Sequence, residues 1–138
     1  NYSDRKLSEH IGLYEQTADE QFYPYIRPQE TGSHTDLRWW RQSDAQGMGF
    51  TVVADTAFTA SALHYDVLTL DEGDRKHQRH PAQLPRSPFT VLCIDQAQAG
   101  LGGIDSWGWD AEALPPYRIP CRNRTFRFML LPRLQSGR

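Results

Sequence analysis

The chain has 138 residues, enough for one domain or a part of one. Its 15 Lys and Arg against 17 Asp and Glu give a formal net charge of -2, so no strong field draws it to nucleic acid or anionic lipid. Hydrophobic residues make up 38%, which suffices for a core, but the longest apolar runs are far too short to span a bilayer. We expect neither a nucleic-acid partner nor a membrane partner.

Helix signals are few. Leu7 and Ile11 lie four residues apart within the stretch 3–12, which predicts a short helix that ends at Gly12. The run from Thr69 to Glu72 matches a capping box and predicts the start of a second short helix.

Strand signals dominate the remainder. The segments 37–41 and 48–54 flank a cluster of turn residues at 43–47, which predicts a β-hairpin. Residues 58–65 alternate in character, as in a strand with two different faces. Residues 90–94 are continuously apolar and β-branched, as in a strand buried on both faces.

Two further strands are predicted near the end, at 117–119 and at 125–131. In the last of these, Phe126, Phe128 and Leu130 share one face. The pattern indicates an all-β protein, an antiparallel β-sandwich with Greek-key-like crossings. We expect the domain to cover residues 1–134 and the tail 135–138 to be disordered.

The stretch from Gly100 to Trp109 is the most informative part of the chain. It reads Gly-Leu-Gly-Gly-Ile-Asp-Ser-Trp-Gly-Trp, a loop poor in bulky side chains that ends in two tryptophans. Glycine permits a positive φ and a close approach of other groups. Such a loop is suited to presenting an aromatic ring to a ligand with an apolar face, such as a sugar or a nucleobase.

This loop and five other segments resemble, in the same order, the C-terminal region of the β-galactosidases of glycoside hydrolase family 2. Asp105-Ser106-Trp107 after a Gly pair is similar to the family's Gly-Gly-Asp-Asp-Ser-Trp. The other similar segments are Asn1 to Arg5, Tyr25 to Gly32, Thr35 to Trp39, Ser61 to Tyr65, and His80 to Pro85. The resemblance covers residues 1 to about 134.

The resemblance implies a fold and a function. The fold would be the C-terminal part of a galactose-mutarotase-like supersandwich, present in some family members as a separate small chain. The parent enzyme would remove terminal non-reducing β-D-galactose from β-D-galactosides with retention of configuration. Its catalytic glutamates lie on an upstream TIM barrel, so the partners of this chain would be a β-galactoside and that barrel region or large chain.

We assign no catalytic residue to this chain. Retaining hydrolysis needs two carboxylates about 5 Å apart, and nothing in the sequence pairs acids such as Asp44 and Asp95. We interpret the acids as turn formers and helix caps. The chain alone is expected to be inactive.

We expect no cofactor and no metal site in this chain. The family uses magnesium and sodium, but its magnesium ligands lie mainly in the barrel. His77 and His80 are three residues apart and His64 is elsewhere, whereas zinc needs three or four converging ligands. His77 fits a solvated face better, and His64 and His80 fit structural hydrogen bonds.

The candidate substrate-binding residues are Trp107, Asp105 and Ser106. In the family, the tryptophan that corresponds to Trp107 lines the active-site mouth and stacks on the sugar or aglycone beyond the scissile bond. Asp105 and Ser106 suit holding the turn better than touching sugar. Ile104 stands where the family has its first Asp, and this difference could tilt the ring or alter the aglycone preference.

Two rival functions remain open. A free-standing carbohydrate-binding module would also use Trp107 and Trp109 on one loop, and a purely structural domain would bury Trp107. A half sandwich would leave a sheet edge or an apolar face uncovered, so a homo-oligomer is a further option. The sequence does not determine the location, although we favour a cytoplasmic one over secretion.

Overall fold

The structure is a computed structural model that describes residues 3–5, 7, 9–24, 32–71, 73–75, 79–102 and 111–133. Within these residues, the chain forms two α-helices of one turn each and six strands. In chain order they are α1 (Ala18–Gln21), β1 (His34–Leu37), β2 (Trp40–Ser43), β3 (Gly49–Ala54), β4 (Phe58–Leu63), α2 (Val67–Leu70), β5 (Val91–Asp95) and β6 (Phe128–Arg133). Short 3₁₀ helices lie at Pro81–Gln83 and Pro115–Tyr117.

The strands form two antiparallel sheets of three strands each, with the orders β1-β4-β5 and β2-β3-β6. Val52 of β3 packs against Phe58 and Ala60 of β4, and all three are at most 1% exposed. This cluster joins the two sheets because β3 and β4 belong to different ones. The predicted all-β sandwich is confirmed.

The predicted hairpin is confirmed as β2 and β3, with Trp40 opposite Val52 and Ser43 opposite Gly49. Asp44 closes its turn by accepting hydrogen bonds from the backbone N–H of Gln46 and of Met48, both at 2.9 Å. These bonds fix the turn, and the turn sets the register of the two strands.

The sequence prediction joined Leu37 to Arg41 in one strand, whereas the structure divides this segment between the two sheets. Asp36 has φ 55°, and the register of β1 against β4 shifts between His34 and Leu37. Aspartate tolerates this left-handed conformation better than most residues. The chain therefore leaves one sheet after Leu37 and enters the other at Trp40.

The burial of β4 and β5 is the reverse of that predicted. All six residues of β4 are buried, although their alternation predicted two different faces. The continuously apolar β5 lies at an edge of its sheet and is only partly buried. Small residues such as Ala60 and Ala62 allow close packing on both faces of the central strand.

The helix predictions were wrong in position. No α-helix includes any described residue of the stretch 3–12. The run at Thr69 ends α2 instead of starting a helix, because Asp66 caps α2 by accepting a hydrogen bond from the N–H of Leu68. A capping box does exist at α1, where Thr17 and Glu20 bond to each other reciprocally.

The predicted strand at 117–119 was also wrong. Pro115 and Pro116 begin a 3₁₀ helix that ends at Tyr117. Proline fixes φ near the helical value and has no N–H to donate to a strand ladder, so this outcome follows from its covalent structure.

The last strand, β6, begins at Phe128, three residues after the predicted start, and pairs with β3 from Gly49 to Ala54. All six of its residues are exposed, and they include Phe128, Met129, Leu130 and Leu131. In the described part of the chain, its other edge has no neighbouring strand. An apolar strand open at one edge is the uncovered surface that the sequence predicted.

Among the described residues, no helix combines the length and apolar character that crossing a membrane would require. The predicted tail 135–138 lies outside the described residues, and the domain boundary at 134 stays a prediction.

Candidate functional site: the base of the glycine-rich loop

The three predicted binding residues, Asp105, Ser106 and Trp107, lie outside the described residues, as do Ile104 and Trp109. The structure describes both ends of this loop, at Gly102 and at Ala111. The site is therefore built here from its base, which comprises residues 3–5, 98–102 and 111–118.

The two ends of the loop meet. Gly102 has φ +75°, and a Cβ added to it would overlap the carbonyl oxygen of Ala111 and lie 2.6 Å from the carbonyl carbon of Glu112. The described residues on either side of the segment 103–110 are therefore in close contact. Glycine is required at 102 both by its φ and by this close approach.

Asp4 holds the outgoing end of the loop, residues 100–102, where the chain enters it. Its Oδ1 accepts a hydrogen bond from the N–H of Leu101 at 3.0 Å, and its Oδ2 accepts one from Gly102 at 2.9 Å. Only 6% of the Asp4 side chain is exposed, and Arg5 forms an ion pair with it at 3.2 Å. Arg5 also donates from Nη2 to the carbonyl of Gly102, so both backbone polar groups of this residue have side-chain partners.

The charge state of Asp4 suits this role. Burial raises the pKa of the carboxyl, but the N–H groups of Gly102 and Leu101, together with the charge of Arg5, outweigh it and hold the pKa below its usual value. Asp4 is therefore ionised at neutral pH and accepts hydrogen bonds on both oxygens.

Arg118 holds the returning end of the loop, residues 111–118, where the chain comes back to the fold. Its Nε donates to the carbonyl of Ala113 at 2.6 Å, and its Nη2 lies 3.4 Å from a carboxylate oxygen of Glu112. The N–H of Gly100 donates to the carbonyl of Tyr117 at 2.9 Å and ties the outgoing and returning sides together. The sequence pattern did not predict these holding residues, although the segment from Asn1 to Arg5 is one of the motifs similar to the family.

A groove of about 520 Å³ borders this base. The residues that line it come from the three segments, from Ala97 beside them and from the arginine-rich stretch that precedes β6. They are Ser3, Ala97, Gln98, Pro115, Pro116, Tyr117, Arg118, Ile119, Pro120, Arg122 and Arg124. Oε1 of Gln98 is buried without a hydrogen-bond partner among the described residues.

The described residues contain no group of three or more His, Cys, Asp or Glu side chains placed to hold a metal ion. His64 is a structural residue as predicted, since its Nδ1 lies 3.5 Å from the carbonyl of Phe89 and its Nε2 lies 4.0 Å from Asp19. Before the 3₁₀ helix at Pro81–Gln83, the backbone N–H of His80 donates to Oε1 of Gln83. His77 lies outside the described residues.

Many described carboxylates form local structure. Glu20, Asp44 and Asp66 bond to backbone N–H groups in caps and turns. Asp19 forms an ion pair with Arg86 at 2.8 Å, and Glu112 forms one with Arg118. These contacts agree with the interpretation of the acids as turn formers and caps.

Comparison with known proteins gives the family. Residues 1–130 match the model of the family described as "Beta galactosidase small chain". This chain belongs to that family. Since the match covers nearly the whole chain, it includes both Asp4 and the glycine-rich loop.

Among individual relatives, the beta-galactosidase of Priestia megaterium is 35% identical to this chain. The match covers 96% of this chain and 12% of the relative. Beta-galactosidase BgaC of Bifidobacterium adolescentis is 36% identical over 77% of this chain and 10% of its own length. The beta-galactosidase small subunit of Latilactobacillus sakei is 34% identical over 92% of this chain and 41% of its own length. The small-chain domain thus spans about a tenth of the long relatives and under half of the small subunit.

Proposed function

We propose that this chain is the C-terminal part of a retaining β-galactosidase of glycoside hydrolase family 2, which removes terminal non-reducing β-D-galactose from β-D-galactosides. The match of residues 1–130 to the small-chain family carries this proposal. Because the chain corresponds to only 12% of the Priestia megaterium enzyme, the two catalytic carboxylates are assigned to the remainder, a barrel region or a large chain.

The role of this part is to complete the substrate pocket on its aglycone side and to brace the barrel. Trp107 is the residue proposed to contact sugar, since an aromatic face against C–H groups excludes water and orients the ligand. Asp105 and Ser106 hold the turn that carries it. The base supports this role, because Asp4 and Arg118 hold the described residues on either side of the segment that contains Trp107.

The test is Trp107→Ala in the complete β-galactosidase, with lactose and nitrophenyl galactoside as substrates. We expect KM for lactose to rise about fivefold, which corresponds to a loss of about 1 kcal/mol, with a smaller effect on the aryl substrate. KM should change more than kcat, because the lost contact serves both the ground state and the transition state.

Trp39→Ala is the matched control, since Trp39 is 44% exposed and lies beside β2, with Arg41 over its ring. Equal losses on both substrates with a lowered melting temperature would show that Trp107 is a packing residue. Binding of galactosides by the isolated chain, together with full activity of the remainder without it, would favour the carbohydrate-binding module instead.

A further inference from the structure

We propose that the groove beside the loop base is a docking surface for an acidic segment of the remainder of the β-galactosidase, and that Arg122 and Arg124 pair with carboxylates of that segment. This inference rests on the proposed function, since it takes the chain to be one part of a larger enzyme. Its observations are the residues that line the groove and the distribution of charge along the chain.

Charge is divided unevenly along the chain. All 17 Asp and Glu residues precede Ala113. The segment 113–138 contains no acid, and its basic residues are Arg118, Arg122, Arg124, Arg127, Arg133 and Arg138. The net charge of -2 therefore conceals a basic segment at the end of the chain, and such an asymmetry indicates a partner of opposite charge.

The groove brings three of these arginines together. Arg118, Arg122 and Arg124 line it, and no Asp or Glu is among the described residues that line it. Arg118 is engaged within the fold, because its Nε donates to the carbonyl of Ala113 and its Nη2 pairs with Glu112. Arg122 and Arg124 are exposed, and in the described part of the chain neither makes a hydrogen bond or an ion pair. Two guanidinium groups are therefore left for carboxylates from outside this chain.

The rest of the lining is largely apolar and is held in place. It includes the 3₁₀ helix Pro115–Tyr117, followed by Ile119 and Pro120. The carbonyl of Tyr117 accepts a hydrogen bond from the N–H of Gly100 at 2.9 Å, and proline fixes φ, so that little conformational entropy is lost on binding. A surface that contains Tyr and Arg but no Lys, Asp or Glu has the composition of the core of a protein–protein interface. It fits a peptide segment in which apolar side chains accompany the carboxylates.

A different part of the enzyme fits this groove better than a second copy of the chain does. A symmetric contact between two copies would place the same surface on both sides, so the arginines would face like charges. In the proposed function a barrel region or large chain lies outside this chain, which matches only 12% of the Priestia megaterium enzyme and 41% of the Latilactobacillus sakei small subunit. The negative net charge of the whole chain disfavours nucleic acid.

Cross-linking in the complete β-galactosidase tests the contact directly. Arg122→Lys and Arg124→Lys keep the positive charge and introduce an amine, which a water-soluble carbodiimide joins to a carboxylate in contact with it. We expect mass spectrometry to find peptides that join position 122 or 124 to an Asp or Glu outside this chain, and to find none in the wild type, because arginine does not react. Arg38→Lys is the matched control that should give no such peptide, since Arg38 is exposed and is not among the residues that line the groove.

Charge reversal measures how much the contact protects the groove. In the complete enzyme, we expect Arg122→Glu combined with Arg124→Glu to speed amide hydrogen exchange in peptides that cover residues 117–124 about tenfold, because the carboxylates of the partner then face like charges. High salt should also speed exchange in the wild type, since it screens exposed charge pairs. Arg122→Lys combined with Arg124→Lys should exchange at nearly the wild-type rate, which separates the effect of charge from a general effect of substitution.

Three results would overturn the inference. The first is cross-links confined to acids of this chain or of a second copy, and the second is exchange that charge reversal leaves unchanged. The third is binding of a labelled single-stranded oligonucleotide that charge reversal abolishes, which would assign the groove to nucleic acid. A failure of the proposed function is recognised separately. If Trp107→Ala leaves lactose kinetics intact while the cross-links reach the remainder of the enzyme, the docking surface stands and the sugar contact does not.

Discussion

At the scale of single residues, Gly47 and Gly102 share a left-handed backbone conformation but differ in how much space a side chain would have. Gly102 and Gly47 have almost the same φ, +75° and +79°. A side chain at 102 would collide with Ala111 and Glu112, whereas one at 47 would meet nothing within 4 Å. The pair therefore separates the cost of the left-handed backbone from the cost of crowding.

We expect Gly47→Ala to lower the free energy of unfolding by about 1 kcal/mol, the cost of a left-handed L-residue. Gly102→Ala should lower it by about 1–3 kcal/mol more, because the loop ends must move apart. Urea unfolding of the dilute chain, followed by tryptophan emission, measures both. Equal destabilisation of the two variants would show that the loop ends are not packed as described.

At the scale of elements, β6 presents an exposed apolar strand at the edge of its sheet. Its backbone pairs with β3, yet Leu130 is 53% exposed and Met129 is 59% exposed, although consecutive residues point to opposite faces. A strand in the body of a sandwich would bury at least one face. Long apolar edges of this kind favour pairing with another chain.

We expect the isolated chain to self-associate through β6, with Leu130→Lys raising the dissociation constant at least about tenfold, or about 1.4 kcal/mol. Leu68→Lys on α2 is the matched control, because Leu68 is 80% exposed and lies outside both sheets. Sedimentation velocity at several concentrations measures the effect. A wild-type monomer at every concentration, with a cooperative melt, would mean that the domain is complete as it stands.

At the scale of the whole molecule, we propose that the chemistry of hydrolysis lies in another part of the enzyme. We expect the isolated chain to show no turnover of nitrophenyl galactoside above background, since the two-carboxylate machinery is assigned elsewhere. A steady-state assay of the purified chain checks this. Turnover that disappears when one acid of this chain is replaced would contradict it.

The sequence by itself determined those features that depend on local chemistry or on order along the chain. The hairpin of β2 and β3 follows from the turn cluster that includes Asp44, and its bonds to Gln46 and Met48 span only a few residues. The all-β class follows from the strand patterns. The family follows from the order of the motifs, which is a property of the chain and does not depend on how it packs.

Tertiary structure alone decided which strand is central and what holds the loop. Burial depends on neighbours from other parts of the chain, so the small residues of β4 fill the middle of a sheet while the more apolar β5 lies at its edge. Asp4 and Gly102 are 98 residues apart, and no local pattern connects them. Their contact exists only because the fold brings residues 3–5 against residues 100–102, where the largely buried carboxylate of Asp4 accepts from two backbone N–H groups.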